Sequence, residues 1–138
     1  MTATFDSVLT GAASPGVYFW RGRRDRDLVG EATAAGWQAT SLDTRSATSF
    51  DDFYDAVAMA WNLAEWFGRN LDALFDVLAE LASQPTLIVW DGLRELADVD
   101  PVQAGAVVEV LRDATGQASA LVVIVRDELE VSEFDGLL

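Results

Sequence analysis

Three carboxylate side chains recur at four-residue spacing in the middle of the chain: Asp72, Asp76 and Glu80. Residues four positions apart lie on the same face of an α-helix, where like charges destabilise the helix by roughly 0.2–0.5 kcal/mol per pair. Such a stripe can bind a hard cation, share acid–base work in hydrolysis, attract a positively charged partner, or simply face solvent. The surrounding residues indicate which of these chemistries to expect.

The sequence disfavours catalysis and metal binding. Nothing places the carboxyl groups in different surroundings, as an acid and base pair requires, and no loop has calcium-binding spacing. Cysteine and histidine are absent, which excludes disulfides, Cys/His zinc sites and nucleophiles activated by histidine. We therefore expect a binding protein with no catalytic residues, no metal and no cofactor. A carboxylate-dependent hydrolase stays open as an alternative.

Aromatic residues surround the acidic stripe: Trp66, Phe67 and Phe75. Aromatic side chains beside charged ones are typical of the energetic centre of protein interfaces. Phe67 and Phe75 are equally compatible with positions in the core, and most acidic helix faces are only solvated. The combination nevertheless indicates a surface for a basic protein.

The charge balance of the whole chain favours the same kind of partner. Net charge is −14, and all nine basic residues are Arg. A field of this sign repels nucleic acid and anionic membranes and attracts basic proteins, although acidity also serves solubility. Four arginines fall within residues 21–26; this segment lacks a glycine-rich phosphate cradle and is expected to be a solvated loop.

The elements around the stripe alternate between strands and helices. Apolar runs predict strands at 17–20, 37–42, 86–90 and 120–125. Helical periodicity and capping residues predict helices at 25–35, 49–64, 70–82 and 101–116. This order predicts one α/β layered domain, with a parallel sheet of three to four strands packed by about four helices. The second and third helices are expected to be close neighbours.

The chain divides into a domain and two ends. We assign residues 1–14 to a flexible N-terminus, 15–126 to the domain and 127–138 to an acidic C-terminal tail. The N-terminal residues lack the pattern of a secretory signal, and no run approaches 18 apolar residues. We expect a cytoplasmic protein.

The segment from Trp66 to Leu78 resembles the signature of the barstar family, intracellular inhibitors of the extracellular ribonuclease barnase. The shared pattern is an aromatic pair and a glycine before an Asn-x-Asp-Ala-Leu-aromatic-Asp helix. The matching residues are Trp66, Phe67, Gly68, Asn70, Asp72, Ala73, Leu74, Phe75 and Asp76. The similarity extends from about Gly36 to Val125, and residues 15–36 resemble the extra strand and helix of longer barstar-like proteins.

The resemblance implies a helix that plugs a nuclease active site, with carboxylates in place of substrate phosphates. It implies that Asp76 is the central phosphate mimic, Asp72 its neighbour, and Trp66 a stacking residue on the catalytic histidine or the substrate-base site. The remaining implied partner-binding residues are Phe67, Gly68, Asn70, Leu71 and Phe75, with Asp113 adding a peripheral ion pair from a later helix.

The implied partner is a basic ribonuclease or toxin protein, bound by a monomer as a 1:1 heterodimer, without direct nucleic-acid or membrane binding. Three positions depart from the family pattern: Arg69 replaces an acidic, neutral or histidine residue, Trp66 replaces tyrosine, and Phe75 replaces tryptophan. These departures suggest a different partner or a tuned specificity. The alternative is an immunity or binding protein of the same fold that neutralises another basic, non-ribonuclease partner.

Overall fold

The computed structural model describes residues 4–63, 67–116, 120–127 and 135–137. Within these ranges, five strands form one sheet: β1 (Gly16–Trp20), β2 (Gln38–Asp43), β3 (Thr86–Asp91), β4 (Leu121–Val125) and β5 (Asp135–Leu137). All neighbouring strands are parallel, in the order β2-β3-β4-β1-β5. The predicted parallel α/β sheet is confirmed, with one strand more than expected.

Helices cover both faces of the sheet. Within the described ranges they are α1 (Phe5–Leu9), α2 (Leu28–Ala34), α3 (Phe50–Ala60), α4 (Leu71–Leu81), α5 (Leu93–Val99) and α6 (Pro101–Gly116). Helices α1 and α2 pack on one face, and α3 to α6 pack on the other. No helix in the described part of the chain is long and apolar enough to cross a membrane.

The central strands β3 and β4 explain this layering. Successive side chains of a strand point to opposite faces, and every side chain of β4 is buried. In β3, Leu87 and Val89 join the core under α1 and α2, while Ile88 and Trp90 join the core under α3 to α6. A strand buried on both faces must be apolar throughout, which is the pattern that makes it recognisable in the sequence.

Capping residues set the helix ends as predicted. The Ser49 hydroxyl accepts a hydrogen bond from the first turn of α3, and the Asp100 carboxylate accepts from two backbone N–H groups of α6. Gly36 follows α2 with φ +89°, a left-handed conformation that glycine adopts without strain. These contacts satisfy backbone groups that a helix end leaves without partners.

The N-terminal segment differs from the prediction. Residues 5–9 form α1, whose start is capped by reciprocal hydrogen bonds between Thr4 and Ser7. Phe5 and Val8 are buried, and the Phe5 ring lies 6.2 Å from the Trp20 ring, edge to face. The helix is too short for a periodic signal, and its order comes from packing against the sheet. The domain therefore begins before residue 15.

The C-terminal segment also differs from the predicted acidic tail, as far as the structure describes it. Asp127 is buried, and residues 135–137 form β5, which pairs with β1. Leu137 is fully buried in the core under α1 and α2. A three-residue strand shows no alternation in the sequence, so its pairing could not be read from the pattern.

The helices differ from the prediction in two ways. Helix α4 packs mainly against α6, rather than forming a closely packed pair with α3. Helix α5 was not predicted, because its seven residues give just under two turns between β3 and α6. Ten residues separate the end of α3 from the start of α4, and this length allows α4 to pack against α6 instead.

Gly92 lies between β3 and α5, where the chain is tightly packed at the carboxyl end of the sheet. Its φ is +101°, and an added Cβ would lie 2.6 Å from the Thr44 carbonyl carbon. We expect Gly92→Ala to lower the free energy of unfolding by about 2–5 kcal/mol, measured by urea denaturation, through backbone strain plus overlap. Gly36→Ala is the matched control, with φ +89° and open space, and should cost only about 1–2 kcal/mol. Equal losses would contradict the overlap.

Candidate functional site

The acidic helix begins at Asn70, whose side chain holds the first turn in place. The Asn70 Oδ1 atom accepts a hydrogen bond from the Ala73 N–H group at 2.8 Å, and Nδ2 donates to the Gly68 carbonyl at 3.0 Å. Asparagine is among the best residues at this position because it satisfies an orphan N–H group. Asn70, which the sequence predicts to line a partner contact, is therefore exposed but already engaged at both amide atoms.

Helix α4 has one buried face and one acidic face. Leu74 and Leu78 are at most 1% exposed and join the core beneath α3 to α6. The side chains of Asp72, Asp76 and Glu80 are exposed on the other side, as the helical period predicts.

The acidic face has no counter-charge within the described ranges of the chain. Among the described residues, none forms a hydrogen bond or ion pair with the side chain of Asp72, Asp76 or Glu80. Asp72 lies in the first turn, where the helix dipole favours a negative charge, but Asp76 and Glu80 lie beyond its reach. The three carboxylates therefore repel one another, and a positively charged molecule bound to this face would reduce that repulsion.

Apolar side chains flank the acidic face. Leu71 and Phe75 are half-buried and pack against the core, so that part of each side chain remains at the surface beside the aspartates. Phe67 is different: it is only 7% exposed, and its ring lies 6.2 Å from that of Tyr54. Phe67 therefore belongs to the core and leaves little of its side chain for the partner contact that the sequence predicts.

Arg69, the departure from the family pattern, points its charge toward helix α3. Its Nη1 atom lies 2.9 Å from the Asp55 carboxylate, and Nη2 donates to the Asp51 carbonyl at 2.9 Å. Its backbone has φ +51°, a conformation uncommon for a residue with a Cβ. The sequence could not reveal this pairing, because Asp51 and Asp55 lie on a different helix.

The other predicted contact residues are placed as follows. Gly68 is exposed, and an added Cβ would lie 3.2 Å from both the Ala73 Cβ and the Asn70 amide, which makes glycine the residue that fits closely beside the cap. Asp113 is exposed on α6, the helix against which α4 packs. Trp66 lies outside the described residues.

A second polar feature is a cavity of about 270 Å³ at the carboxyl ends of β3 and β4. It is lined by Arg24, Arg45, Gly92, Arg94, Glu95, Asp98, Arg126 and Asp127. Two of its arginines are paired within the fold: Arg45 with Asp43, and Arg126 through two hydrogen bonds to Asp91.

Asp127 occupies the centre of this edge. Its carboxylate accepts hydrogen bonds from the Gly92 and Arg94 N–H groups at 3.2 and 3.1 Å, and its carbonyl accepts one from the Arg24 guanidinium. Burial raises the pKa of Asp127, while the backbone hydrogen bonds act in the opposite direction. These contacts hold the β3–α5 turn in place.

The arginine-rich segment 21–26 does not present a single basic patch. Arg26 pairs with Glu31 at 2.8 Å and lies over the rings of Phe5 and Trp20, so it is not a purely solvated residue. Arg23 pairs with Asp25 and is mostly exposed, as expected of a loop. Among the described residues, no group of three or more carboxylates is arranged to hold a metal ion.

Comparison with known protein families identifies one match. A family model described as "Barstar (barnase inhibitor)" matches residues 37–129, more than half of the chain. The matched range contains β2, β3, β4 and helices α3 to α6, and with them the acidic helix and its preceding loop. The N-terminal elements α1, β1 and α2 lie before it.

The Asn70 cap provides a test of how the acidic helix is positioned. Asn70→Ala removes the acceptor for the Ala73 N–H group and should lower the free energy of unfolding by about 0.5–2 kcal/mol in chemical denaturation. Asn70→Asp retains the acceptor and should stay within about 0.5 kcal/mol of the wild type. A loss of the same size in both variants would show that the cap is not what the position needs.

Proposed function

The chain belongs to the barstar family, and we therefore propose that it is a protein inhibitor of a basic ribonuclease. The observation that carries this proposal is the exposed acidic face of α4, on which Asp72 and Asp76 have no counter-charge among the described residues. The active site of a ribonuclease is built to bind phosphate groups, so it offers the positive charge that this face lacks. Inhibition then results from occlusion of that site, without chemistry on the inhibitor's part.

The proposed mechanism uses the helix as a rigid phosphate mimic. Asp76 takes the central position among the enzyme's basic side chains, and Asp72 neutralises charge one helical turn away. Burial of Leu74 and Leu78 fixes the helix to the domain before the partner arrives. A preorganised surface loses little conformational entropy on binding, so more of the electrostatic gain remains as affinity.

Apolar contact completes the proposed interface. Leu71 and Phe75 border the aspartates and would exclude water from the charge pairs, which strengthens them. Trp66 immediately precedes this surface in sequence, and its stacking on the enzyme remains a prediction from the family pattern. Asp113 on α6 would add an ion pair at the periphery, where solvent limits its contribution.

The net charge of −14 supports rapid capture of a basic protein. Long-range attraction raises the rate of encounter and disfavours direct binding to nucleic acid. We place the protein in the cytoplasm as a monomer that forms a 1:1 complex. There it would protect a producing cell from leakage of its own nuclease.

Titration against a ribonuclease tests the function directly. The purified chain should abolish the activity of a guanyl-preferring extracellular ribonuclease at a near-stoichiometric ratio. Full activity in the presence of excess inhibitor would overturn the proposal for that class of enzyme. Tight binding of a basic protein without loss of ribonuclease activity would instead identify a barstar-fold immunity protein with another partner.

Asp76 should contribute most to the complex. Coupling energies of about 1.5–7 kcal/mol are known for close charge pairs in the barnase–barstar complex itself, and the expectation borrows that scale. Asp76→Ala should weaken binding by about 2–5 kcal/mol in calorimetric or kinetic titration, because the enzyme's basic pocket is left unpaired. Glu80→Ala removes the same charge one turn further along and should cost less than about 1 kcal/mol. Equal losses would refute the assigned role of Asp76.

Ionic strength should act mainly on association. Raising salt from low to physiological concentration should slow the association rate constant steeply, with a much smaller change in dissociation, because screening acts on long-range attraction. Stopped-flow fluorescence of the tryptophans offers a suitable measurement. An association rate that is independent of salt would contradict electrostatic steering.

A further inference from the structure

Arg69 connects two helices that otherwise share little packing. Its guanidinium lies 2.9 Å from the Asp55 carboxylate and donates to the Asp51 carbonyl at 2.9 Å, both in α3. Helix α4, which begins two residues later, packs mainly against α6. The segment Phe67–Asn70 therefore ties the start of the acidic helix to α3 through this side chain.

The backbone conformation of Arg69 is one that its side-chain contacts must stabilise. A φ of +51° strains any residue with a Cβ, and glycine would adopt it freely. An arginine in this conformation must be held by its contacts. The adjacent residues are held as well: Phe67 packs against Tyr54 of α3, and Asn70 caps α4.

The charge of Arg69 opposes the proposed function when considered alone. A positive group beside Asp72 reduces the attraction that the acidic face exerts on a basic enzyme. Its contacts with α3 act in the other direction, because they fix the loop that leads into the first turn of α4, where Asp72 lies. The two effects fall on different rate constants: net charge acts on association, and preorganisation acts mainly on dissociation.

We propose that Arg69 is a positioning residue of the inhibitory surface, whose clamp on α3 holds the loop Phe67–Asn70 and the first turn of α4 in the binding geometry. This inference rests on the proposed function for its consequence in the complex. The clamp itself is a property of the free protein. It explains why this chain carries a positive residue next to a surface that faces a basic partner.

A kinetic double-mutant cycle with a basic ribonuclease tests the clamp. Arg69→Gln makes the chain more negative, so association should accelerate, yet dissociation should also accelerate, by about two- to fivefold for a partly exposed ion pair. Asp55→Ala removes negative charge, so association should slow while dissociation again accelerates. The double variant restores the wild-type net charge, and its dissociation should be no faster than that of Arg69→Gln alone.

A matched variant separates charge from positioning. Arg23→Gln makes the same change in net charge, at a side chain that is 84% exposed and pairs with Asp25 in another loop. It should leave dissociation unchanged. Arg69→Lys retains the charge and should restore part of the slow dissociation. If Arg69→Gln dissociates no faster than Arg23→Gln, the positioning role is overturned.

Amide hydrogen exchange in the free protein keeps this inference distinct from the proposed function. Arg69→Gln and Asp55→Ala should both accelerate exchange at the Ala73 N–H group, which the Asn70 cap protects, relative to Arg23→Gln. Unchanged exchange there would overturn the clamp, whatever the partner. Failure of the wild type to inhibit any basic ribonuclease, with exchange accelerated as expected, would overturn the proposed function alone.

Discussion

Burial of one face of α4 is the constraint on which the candidate site depends. Leu74 and Leu78 pack into the core beneath α3 to α6, and this contact leaves Asp72 and Asp76 no direction except outward. Stability and the proposed binding surface are thus divided between opposite sides of one helix. Burial of the leucines stabilises the helix and offsets the repulsion between acids that lie four residues apart. Within the described part of the chain, these acids have no internal partners.

Sequence patterns correctly predicted the elements that are set by local residue preferences or that are buried on both faces. The apolar run of β3 and the exposed period of Asp72 and Asp76 follow directly from strand and helix geometry. Helix α1 and strand β5 escaped prediction because they are ordered by distant contacts, such as that of Phe5 with Trp20. No window of a few residues contains that information.

The same distinction applies within the site. Phe75 lies inside a helix, so its period placed it on the border of the acidic face, and the structure leaves it half-buried there. Phe67 lies in a non-helical loop, where periodicity gives no direction, and only the contact with Tyr54 shows that it faces inward. Arg69 has its partners on α3, so its charge was visible in the sequence but its neutralisation was not.

The position of β1 in the sheet has a consequence for the biosynthesis of the protein. Gly16 pairs with Val122, so β1 cannot find its place until a strand encoded near the other end of the chain has left the ribosome. During translation the side chains of Tyr18, Phe19 and Trp20 therefore remain without their final cover. Contacts between residues so far apart in sequence slow folding and prolong the exposure of apolar, aggregation-prone segments. The apolar side chains of β1 are therefore among the last in the sheet to be covered as the chain folds.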